Sequence, residues 1–384
     1  MKIVLAPDKF KGSLTAPQAC QAMERGIRRV WPDGELLSIP LADGGEGTVD
    51  ALVTATGGRY EHVRVTGPLG KPVRAKFGIL GDGQTAVIEM AQASGLWRVP
   101  HSKRNPFQTT TFGTGQLIMA AVNKGCHKLI IGIGGSATTD CGTGMAQALG
   151  ARFIGPDGRT IEQPMTGGMM EQVLGVDLSG ISPILKDCSI TLACDVANPL
   201  LGPEGAVMVY AAQKGATAEQ LDQLERGMEH MIDLLEAATG RQVRDQPGAG
   251  AAGGLGAALM ALLNAISRPG IEVVLEAVSF RERIRGARLL FAGEGSVDAQ
   301  TLFGKTIHGV LRVARQEHIP VVILAGSITE DVDGLYEQGV ISLFSICDRP
   351  MSVSEAMSQA SRLLEKAAER VARALHYGSM LCPQ

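Results

Sequence analysis

Acidic and hydroxyl side chains stand in short glycine-rich segments that follow apolar runs of the 384-residue chain. The segment GEGSVDA holds Glu294, Ser296 and Asp298, and a Gly-Lys-Thr sequence with Lys305 follows it. Carboxylates for Mg²⁺ with a lysine at a helix start are the groups that phosphate-ester chemistry requires. A Walker A motif needs glycine where this chain has Ala299, so the segment is not a P-loop. A solvated acidic loop is the alternative interpretation.

A second set of charged residues follows the apolar N-terminal run, in the stretch PDKFKGS with Asp8, Lys9, Lys11 and Ser13. Ligands of open parallel sheets bind where the strands end, and this stretch is expected at such an end, before a helix. Lysines there can neutralise phosphate oxygens. A solvated loop in which Ser13 only caps the helix is the alternative.

The stretch DGGEG places Asp43, Gly45 and Glu46 in the same kind of position. Its continuation, GEGTVDA, nearly repeats GEGSVDA. Helical periodicity begins at once after the first copy, so Glu46 is the better placed carboxylate and Asp50 the weaker candidate. A glycine-rich turn whose Glu46 favours the helix dipole is the alternative.

The stretch GIGGSATTD follows a strongly apolar run and offers Gly134, Gly135 and Ser136, with Asp140 at its end. Free backbone amides and hydroxyls of this kind are the material of an anion-binding loop. The stretch also matches a loose dinucleotide fingerprint, but no acidic residue closes the next strand-like run. A turn without a ligand stays open here.

Two further segments carry weaker signals. In CDVANP, Asp195 is expected at a strand end and Asn198 in the next turn, where they would bind a ligand or merely form the turn. The sequence GAGAAGG at 248–254 is a literal GxGxxG, but it follows Gln246-Pro247 rather than a strand. We expect it to allow close packing or ligand approach rather than to bind a dinucleotide.

Composition narrows the class of protein. Hydrophobic residues make up 45%, charged residues 20% and aromatic residues 4%, and the net charge is −3. A nucleic-acid or membrane partner would require a basic face, so neither is expected. Seven cysteines without a CxxC, and no signal peptide in the sequence, favour a cytoplasmic protein without structural zinc or disulfides.

The elements that must position these residues alternate between strands and helices. Strands are predicted at Lys2–Ala6, Glu35–Leu41, His62–Thr66, Val73–Leu80, Thr85–Met90, Lys128–Ile133, Ile190–Cys194, Leu289–Ala292, Val321–Ala325 and Ser342–Ile346. Capping sequences predict helix starts at Thr15, Thr217 and Ser352. The three runs between residues 62 and 90 are joined by short Gly/Pro turns, which indicates antiparallel neighbours.

This pattern predicts an α/β fold in which one domain interrupts another. Residues 1–60 plus 285–384 are expected to form a discontinuous, Rossmann-like parallel-sheet domain. Residues 61–284 are expected to form a second α/β domain inserted into it.

Taken together and in order, the motifs resemble the type-1 glycerate kinases, bacterial enzymes that phosphorylate glycerate with ATP. The matching pieces include APDKFKGSLTA, LADGGEGTVDA, IEMAQASGL, IGIGGSATTD, ACDVANPLLG, QKGA, PGAGAAGGLGAAL and GEGSVDAQTLFGK. The resemblance implies a two-domain kinase with its active site in the interdomain cleft. It also implies ATP, Mg²⁺ and D-glycerate, with 2-phosphoglycerate as product, in glyoxylate or other organic-acid or sugar-acid catabolism.

Roles for the site residues follow as hypotheses. Asp195, Glu294 and Asp298 would contact Mg²⁺ or act as the base, and Lys9, Lys11 and Lys305 would neutralise phosphate or carboxylate charge. The family often has glycine where this chain has Cys141, which would narrow the pocket or make it sensitive to oxidation. Formation of 3-phosphoglycerate, an NAD-dependent oxidoreductase and a non-catalytic acid-binding protein remain alternatives. The sequence is compatible with a homo-oligomer.

Overall fold

The structure, a computed structural model, describes residues 1–298, 301, 306–329 and 332–381. The chain divides into two compact units. The first comprises Met1–Asp43, Asp50–Gly57 and Ile271–Gln384, and the second comprises Gly44–Val49 and Gly58–Gly270.

The strands, in chain order, are β1 (Lys2–Pro7), β2 (Glu35–Ser38), β3 (Arg59–Thr66), β4 (Pro72–Ile79), β5 (Thr85–Glu89), β6 (Lys128–Gly132), β7 (Arg152–Ile154), β8 (Gly175–Asp177), β9 (Ser189–Ala193), β10 (Ile266–Arg268), β11 (Leu289–Val297), β12 (Val321–Ile328) and β13 (Val340–Ser345).

The helices are α1 (Ala16–Arg28), α2 (Thr48–Thr56), α3 (Ala91–Ser94), α4 (Phe112–Asn123), α5 (Thr143–Ala148), α6 (Ala206–Tyr210), α7 (Ala218–Thr239), α8 (Ala251–Leu263), α9 (Gly270–Ala277), α10 (Phe280–Ile284), α11 (Thr306–Gln316), α12 (Gly334–Glu337), α13 (Val353–Ser358) and α14 (Ala360–Leu381). Short 3₁₀ helices lie at Leu96–Arg98, His101–Lys103, Gly167–Gln172, Pro183–Asp187 and Ala212–Lys214. Among the helices in the described part of the chain, none combines the length and apolar character needed to cross a membrane.

The first unit is built on a parallel sheet with the strand order β13-β12-β11-β1-β2. Its central strands are buried along their apolar residues, as expected for strands covered on both faces. Helices α1 and α14 pack together against it, and their apolar side chains form one core with the sheet. Helix α1 begins with the predicted capping box between Thr15 and Gln18.

Several predicted ends in this unit need correction. Strands β11 and β12 do not end at Ala292 and Ala325 but continue to Val297 and Ile328, because the two strands pair over that whole length. Strand β2 ends at Ser38 rather than Leu41. The helix start predicted at Ser352 belongs to the short helix α13, which ends at Ser358 before α14 begins.

The second unit is built on a mixed sheet with the order β10-β9-β6-β5-β4-β3. The pairs β3–β4 and β4–β5 are antiparallel, as the short turns predicted, and the strands from β5 to β10 pair in parallel. Helix α7 begins with the predicted capping box at Thr217. Helix α8 begins with a left-handed turn at Ala252, Gly253 and Gly254, which packs on the backbone of residues 138–141.

Candidate active site

Three charged side chains of the first unit meet just beyond strand β1. The Nζ atom of Lys9 lies 3.3 Å from Oδ1 of Asp43 and 3.8 Å from Oδ1 of Asp8. Asp8 is buried, and Thr306, the first residue of α11, donates a 2.5 Å hydrogen bond from Oγ1 to its Oδ2 atom. Burial raises the pKa of Asp8, and the charge of Lys9 opposes that rise. The structure therefore brings together Asp8, Lys9 and Asp43, three of the predicted site residues.

Glu294, Ser296 and Asp298 lie next to this cluster in the sheet. Strand β1 pairs with β11 so that Pro7 stands opposite Gly293. Strand β1 ends there, whereas β11 continues beside β12 to Val297, so Glu294 and Ser296 lie just past the end of β1. Side chains two residues apart in a strand point to the same face, so Glu294 and Ser296 lie on one face of β11, and Asp298 follows directly after the strand. Ligands of parallel sheets bind at this edge.

Thr301 holds the two carboxylates of this segment. Its Oγ1 donates a 2.9 Å hydrogen bond to Oε1 of Glu294, and its backbone amide donates to Oδ1 of Asp298 at 3.2 Å. Ser296 is exposed and accepts a hydrogen bond from Ser327. Two partly buried carboxylates, each held by a hydrogen bond from Thr301, suit a hard cation that also binds substrate phosphates. Across residues 1–298, 301, 306–329 and 332–381, no group of three or more His, Cys, Asp or Glu is placed to hold a metal ion.

The remaining predicted residues of the first unit have different surroundings. Lys11 is exposed, and its backbone nitrogen lies against Gly295, where a Cβ atom would come within 3.2 Å. Ser13 donates from Oγ to the carbonyl of Phe10 at 2.9 Å and so closes the turn before α1. Lys305 lies outside the described residues.

In the second unit, the loop of residues 44–47 lies at the carboxyl ends of the parallel strands. Glu89, the last residue of β5, accepts hydrogen bonds from the amides of Gly47 at 3.0 Å and Val49 at 2.8 Å, and so caps α2. The side chain of Glu46 is exposed. Gly134 lies beside Gly45, since a Cβ atom on Gly134 would be 3.4 Å from the Cα atom of Gly45.

The predicted anion-binding loop follows β6. Gly135 has a left-handed backbone with φ of 75°, and its carbonyl accepts from the amide of Leu96 at 2.9 Å. The hydrogen bonds within the described residues do not use the amides of residues 134–136 as donors. Successive amides of this kind around a left-handed residue form a concave nest for an anion.

The side chain of Asp140, at the end of that loop, stabilises it from the protein interior. Its side chain is fully buried and accepts from the amide and hydroxyl of Thr111 at 2.8 and 2.7 Å, and from the amides of Gly142 and Gly144. Burial raises its pKa to about 6, against the effect of these donors. Asp140 has no exposed surface in this conformation, and its hydrogen bonds stabilise the loop; its contact with a ligand stays a prediction.

A buried lysine that was not predicted as a site residue contacts the same loop. Lys214 is 2% exposed, and its Nζ atom donates a 2.6 Å hydrogen bond to the carbonyl oxygen of Thr138. Burial lowers its pKa to about 7, and the charge of Asp140 opposes that shift. Its only sequence signal is its place in the QKGA motif.

Cys141 sits beside Asp140 with φ of 50° and no exposed surface. Burial raises the pKa of its thiol, so the thiolate is disfavoured. The sensitivity to oxidation considered from the sequence is therefore not supported by its surroundings.

Asp195 and Asn198 follow β9 in an exposed turn. Asp195 accepts a 2.7 Å hydrogen bond from the amide of Gly270, the first residue of α9. Asn198 donates to the carbonyl of Glu204 at 2.7 Å and accepts from the hydroxyl of Tyr210 at 2.6 Å. Asn198 thus holds the turn, whereas Asp195 combines a helix-capping bond with an exposed carboxylate.

Glu89, Thr301 and Thr306 were not predicted as site residues. Each contacts a predicted site segment through at least one residue that is 7 or more positions away. Spacing within one segment cannot reveal such a pair. Glu89 does lie within the motif IEMAQASGL, which is its one signal in the sequence.

Comparison with known proteins identifies the class to which these loops belong. The glycerate kinase family matches residues 3–376 of the chain. A glycerate kinase of Bacillus subtilis (strain 168) is 49% identical over 375 residues, which covers 98% of each chain. A glycerate 2-kinase of Escherichia coli (strain K12) is 46% identical over 378 residues, or 98% of this chain and 99% of that one.

The fold gives the same result. The crystal structure of a protein provisionally named glycerate kinase 2, from Salmonella typhimurium LT2, superposes with a TM-score of 0.90. It is 44% identical in sequence, and the match covers 99% of each chain. The chain therefore belongs to the glycerate kinase family.

Proposed function

We propose that this chain transfers the γ-phosphoryl group of ATP to the 2-hydroxyl of D-glycerate, giving 2-phosphoglycerate and ADP. The observation that carries the proposal is the set of carboxylates and a lysine at the shared edge of β1 and β11, in a member of the glycerate kinase family. The Escherichia coli relative is named a glycerate 2-kinase, which favours the 2-hydroxyl over the 3-hydroxyl.

Phosphoryl transfer depends on positioning and on charge neutralisation. We assign to Asp195, Glu294 and Asp298 the tasks of receiving the proton of the glycerate hydroxyl and of binding cations. In the first unit Glu294 and Asp298 are both candidates for the base, since each accepts one hydrogen bond from Thr301 and is only partly buried. In the second unit Asp195 is the candidate, since its carboxylate is exposed.

Lys9 is suited to hold an anionic group in place. Its ammonium group lies between two carboxylates, which fix its position without removing it from solvent entirely. A phosphate or carboxylate oxygen could be neutralised there without reorganisation of the side chain. Lys11 and Lys305 are proposed to add positive charge to the same substrates.

The carboxylates of Glu294 and Asp298 fit Mg²⁺, which is usually bound through one or two carboxylates together with substrate phosphates. When bound, the ion would offset charge on the phosphate oxygens. Thr301 orients the two carboxylates, because it donates a hydrogen bond to one oxygen of each.

The amides of residues 134–136 are proposed to bind an anionic group of a substrate. Buried hydrogen bonds stabilise this loop. Lys214 donates to the carbonyl of Thr138, and Asp140 accepts from the amides of Thr111 and Gly142. Asp8, Asp43, Gly45 and Glu46 are proposed to complete the binding surfaces of their own segments.

The other candidate functions explain less. A nicotinamide oxidoreductase would need an acidic residue at the end of the strand that follows the glycine-rich loop, to bind the ribose. Asp157, after β7, lies instead in an exposed turn, where it accepts a hydrogen bond from the amide of Arg159 at 3.0 Å. A non-catalytic acid-binding protein would not need the paired carboxylates of Glu294 and Asp298. We place the kinase in the cytoplasm, where the free thiols of the described cysteines would stay reduced. Glycerate as the substrate implies a role in organic-acid or sugar-acid catabolism.

The test is a coupled assay of ADP release with ATP, Mg²⁺ and a panel of small hydroxy acids. D-glycerate should give the highest kcat/KM of the panel, and L-glycerate, lactate and glycerol should give little turnover. No ADP release with any member of the panel would overturn the proposal. Reduction of NAD⁺ by D-glycerate would support the oxidoreductase instead.

A further inference from the structure

A cavity of about 590 Å³ opens in the second unit, away from the predicted site residues in sequence. It is lined by Leu69, Ser102, Lys103, Arg104, Asn105 and Gln108. Its volume falls within the roughly 300–1,000 Å³ typical of small-molecule sites. The lining is polar except for Leu69, so the cavity suits a strongly hydrophilic ligand rather than an aromatic base.

Arg104 indicates which kind of ligand this cavity could bind. Its Nε atom is buried and has no hydrogen-bond partner, and its guanidinium forms no ion pair within the described residues. Arg244, by contrast, pairs with Asp233 and Glu236 at 2.6 Å, whereas Arg98, like Arg104, has a buried Nε atom without a partner among the described residues. Because Arg104 lines the cavity and no carboxylate among the described residues neutralises its charge, the cavity is suited to an anionic ligand.

The backbone that carries Arg104 is held on two sides. The amide of Arg104 donates to the carbonyl of His101 at 3.3 Å, which closes a 3₁₀ turn. Gly215 packs so tightly on its carbonyl that a Cβ atom at Gly215 would lie 2.2 Å from that oxygen. The turn that contains Leu69 is tied to the same loop by a 3.0 Å hydrogen bond from Thr110 to Pro68. The cavity is therefore largely formed before a ligand arrives, which lowers the cost of binding.

We infer that this cavity binds the phosphate chain of the nucleotide, with the Arg104 guanidinium as the principal contact and Lys103 as a second positive charge. The planar guanidinium can donate two parallel hydrogen bonds to a phosphate, and Lys103 adds a point charge. A polyphosphate needs several cationic contacts, whereas the single carboxylate of glycerate does not need two cations and a cavity of this size. The inference rests on the proposed use of ATP.

The experiment compares wild type with Arg104→Met, Arg104→Lys and the control Arg159→Met. Arg159 is exposed, and its side chain forms no ion pair within the described residues. Circular dichroism and thermal unfolding establish that each variant is folded. The KM values for ATP and D-glycerate are then measured separately, and binding of inorganic tripolyphosphate is measured by calorimetry.

Arg104→Met should raise the KM for ATP and weaken tripolyphosphate binding by about tenfold or more, with the KM for D-glycerate nearly unchanged. Arg104→Lys should give a KM for ATP and a tripolyphosphate affinity between those of wild type and Arg104→Met, because lysine keeps the charge but lacks the planar guanidinium group. If Arg104→Met does not fold, Arg104→Lys alone decides the matter. Unchanged ATP and tripolyphosphate affinities would overturn the inference, and so would a rise confined to the KM for D-glycerate. Since calorimetry needs no turnover, the site can be tested even if wild type does not phosphorylate glycerate.

Discussion

The Nζ atom of Lys214 lies 2.6 Å from the carbonyl oxygen of Thr138, in a position where the lysine side chain is almost fully buried. Thr138 belongs to the segment between the proposed anion-binding amides and Asp140. Lys214 thus fixes the backbone just beyond the amides of residues 134–136. The fully buried carboxylate of Asp140 fixes the other end of the segment through its hydrogen bonds to Thr111 and Gly144.

We expect Lys214 to give the folded protein a distinct pH dependence. Its pKa is about 7 in the folded state, against an ordinary value of 10.5, so the unfolded state binds more protons between those values. Stability from this residue should therefore increase with pH, by at most about 1.4 kcal/mol per unit. Urea unfolding of wild type and Lys214→Met at several pH values measures this contribution. The free energy of unfolding of wild type, relative to that of the variant, should increase above pH 7.

The exposed Lys186 provides the matched control. Lys186→Met should follow the wild-type pH profile throughout. A constant difference between wild type and Lys214→Met across this pH range would show that Lys214 does not titrate as the structure predicts.

Asp140 should show the opposite trend at lower pH. Its pKa rises from 3.8 to about 6 on folding, so the folded state holds the extra proton in that range. The stabilising effect of this proton is present below pH 4 and is lost as pH rises through 6. Relative to Asp140→Asn, wild type should therefore lose stability over this interval.

At every pH the Asn variant should be the less stable protein, by about 2 kcal/mol or more. Either orientation of the amide turns an NH₂ group toward the donors of Thr111 or Gly142, which leaves buried groups unpaired. Asp187→Asn, at an exposed position, should change neither the stability nor its pH profile. An Asp140→Asn protein as stable as wild type would contradict this account of the loop.

Thr306 is expected to position Asp8. Removal of the 2.5 Å hydrogen bond in Thr306→Val should lower kcat/KM about tenfold, because a hydrogen bond to a charged group contributes about 1.5–3 kcal/mol. Since this bond lowers the pKa of Asp8, its loss should also shift the acid limb of the pH–rate profile upward.

Thr306→Ser keeps the hydroxyl and should restore both the rate and the pH profile. Equal activities for wild type and Thr306→Val would show that Asp8 needs no support from α11.

The thiol of Cys141 is expected to be inert in the folded protein. It is fully buried and burial raises its pKa, whereas Cys347 is partly exposed. Brief alkylation followed by peptide mass spectrometry should label Cys347 first and leave Cys141 unmodified until the protein is unfolded. Labelling of the two cysteines at similar rates would mean that the loop opens to solvent.

The proposed base can be tested at two positions. Asp298→Asn or Asp195→Asn should reduce turnover by at least ~10²-fold if that residue is the base. Asparagine at 195 can still accept the hydrogen bond from Gly270, so a loss of rate there would report on the charge rather than on the helix cap. Near-normal rates in both variants would exclude both residues as the base.

Local signals predicted much of the fold. The capping boxes at Thr15 and Thr217 begin helices where they were expected, since each depends on residues three positions apart. The antiparallel pairing of β3, β4 and β5 follows from their short turns. The end of β11 was placed too early because Gly293 and Gly295 suggest a loop, whereas pairing with β12 extends the strand.

The candidate site was less accessible to sequence reasoning. Asp8 and Lys9 could be placed just beyond a strand end, because the order of strands and helices indicates which end of the sheet they reach. Glu294 was expected after β11 but lies within it. The supporting residues Thr306, Glu89 and Lys214 could not be predicted, since the groups they contact are distant in sequence. The domain limits and site roles remain predictions.

Proton-coupled phosphorus NMR locates the transferred phosphate on glycerate. The protein should be incubated with ATP, Mg²⁺ and D-glycerate before the spectrum is recorded. We expect 2-phosphoglycerate, whose phosphorus couples to a single proton and gives a doublet. A triplet, from coupling to the methylene protons of 3-phosphoglycerate, or the absence of any phosphorylated glycerate would overturn the proposed reaction.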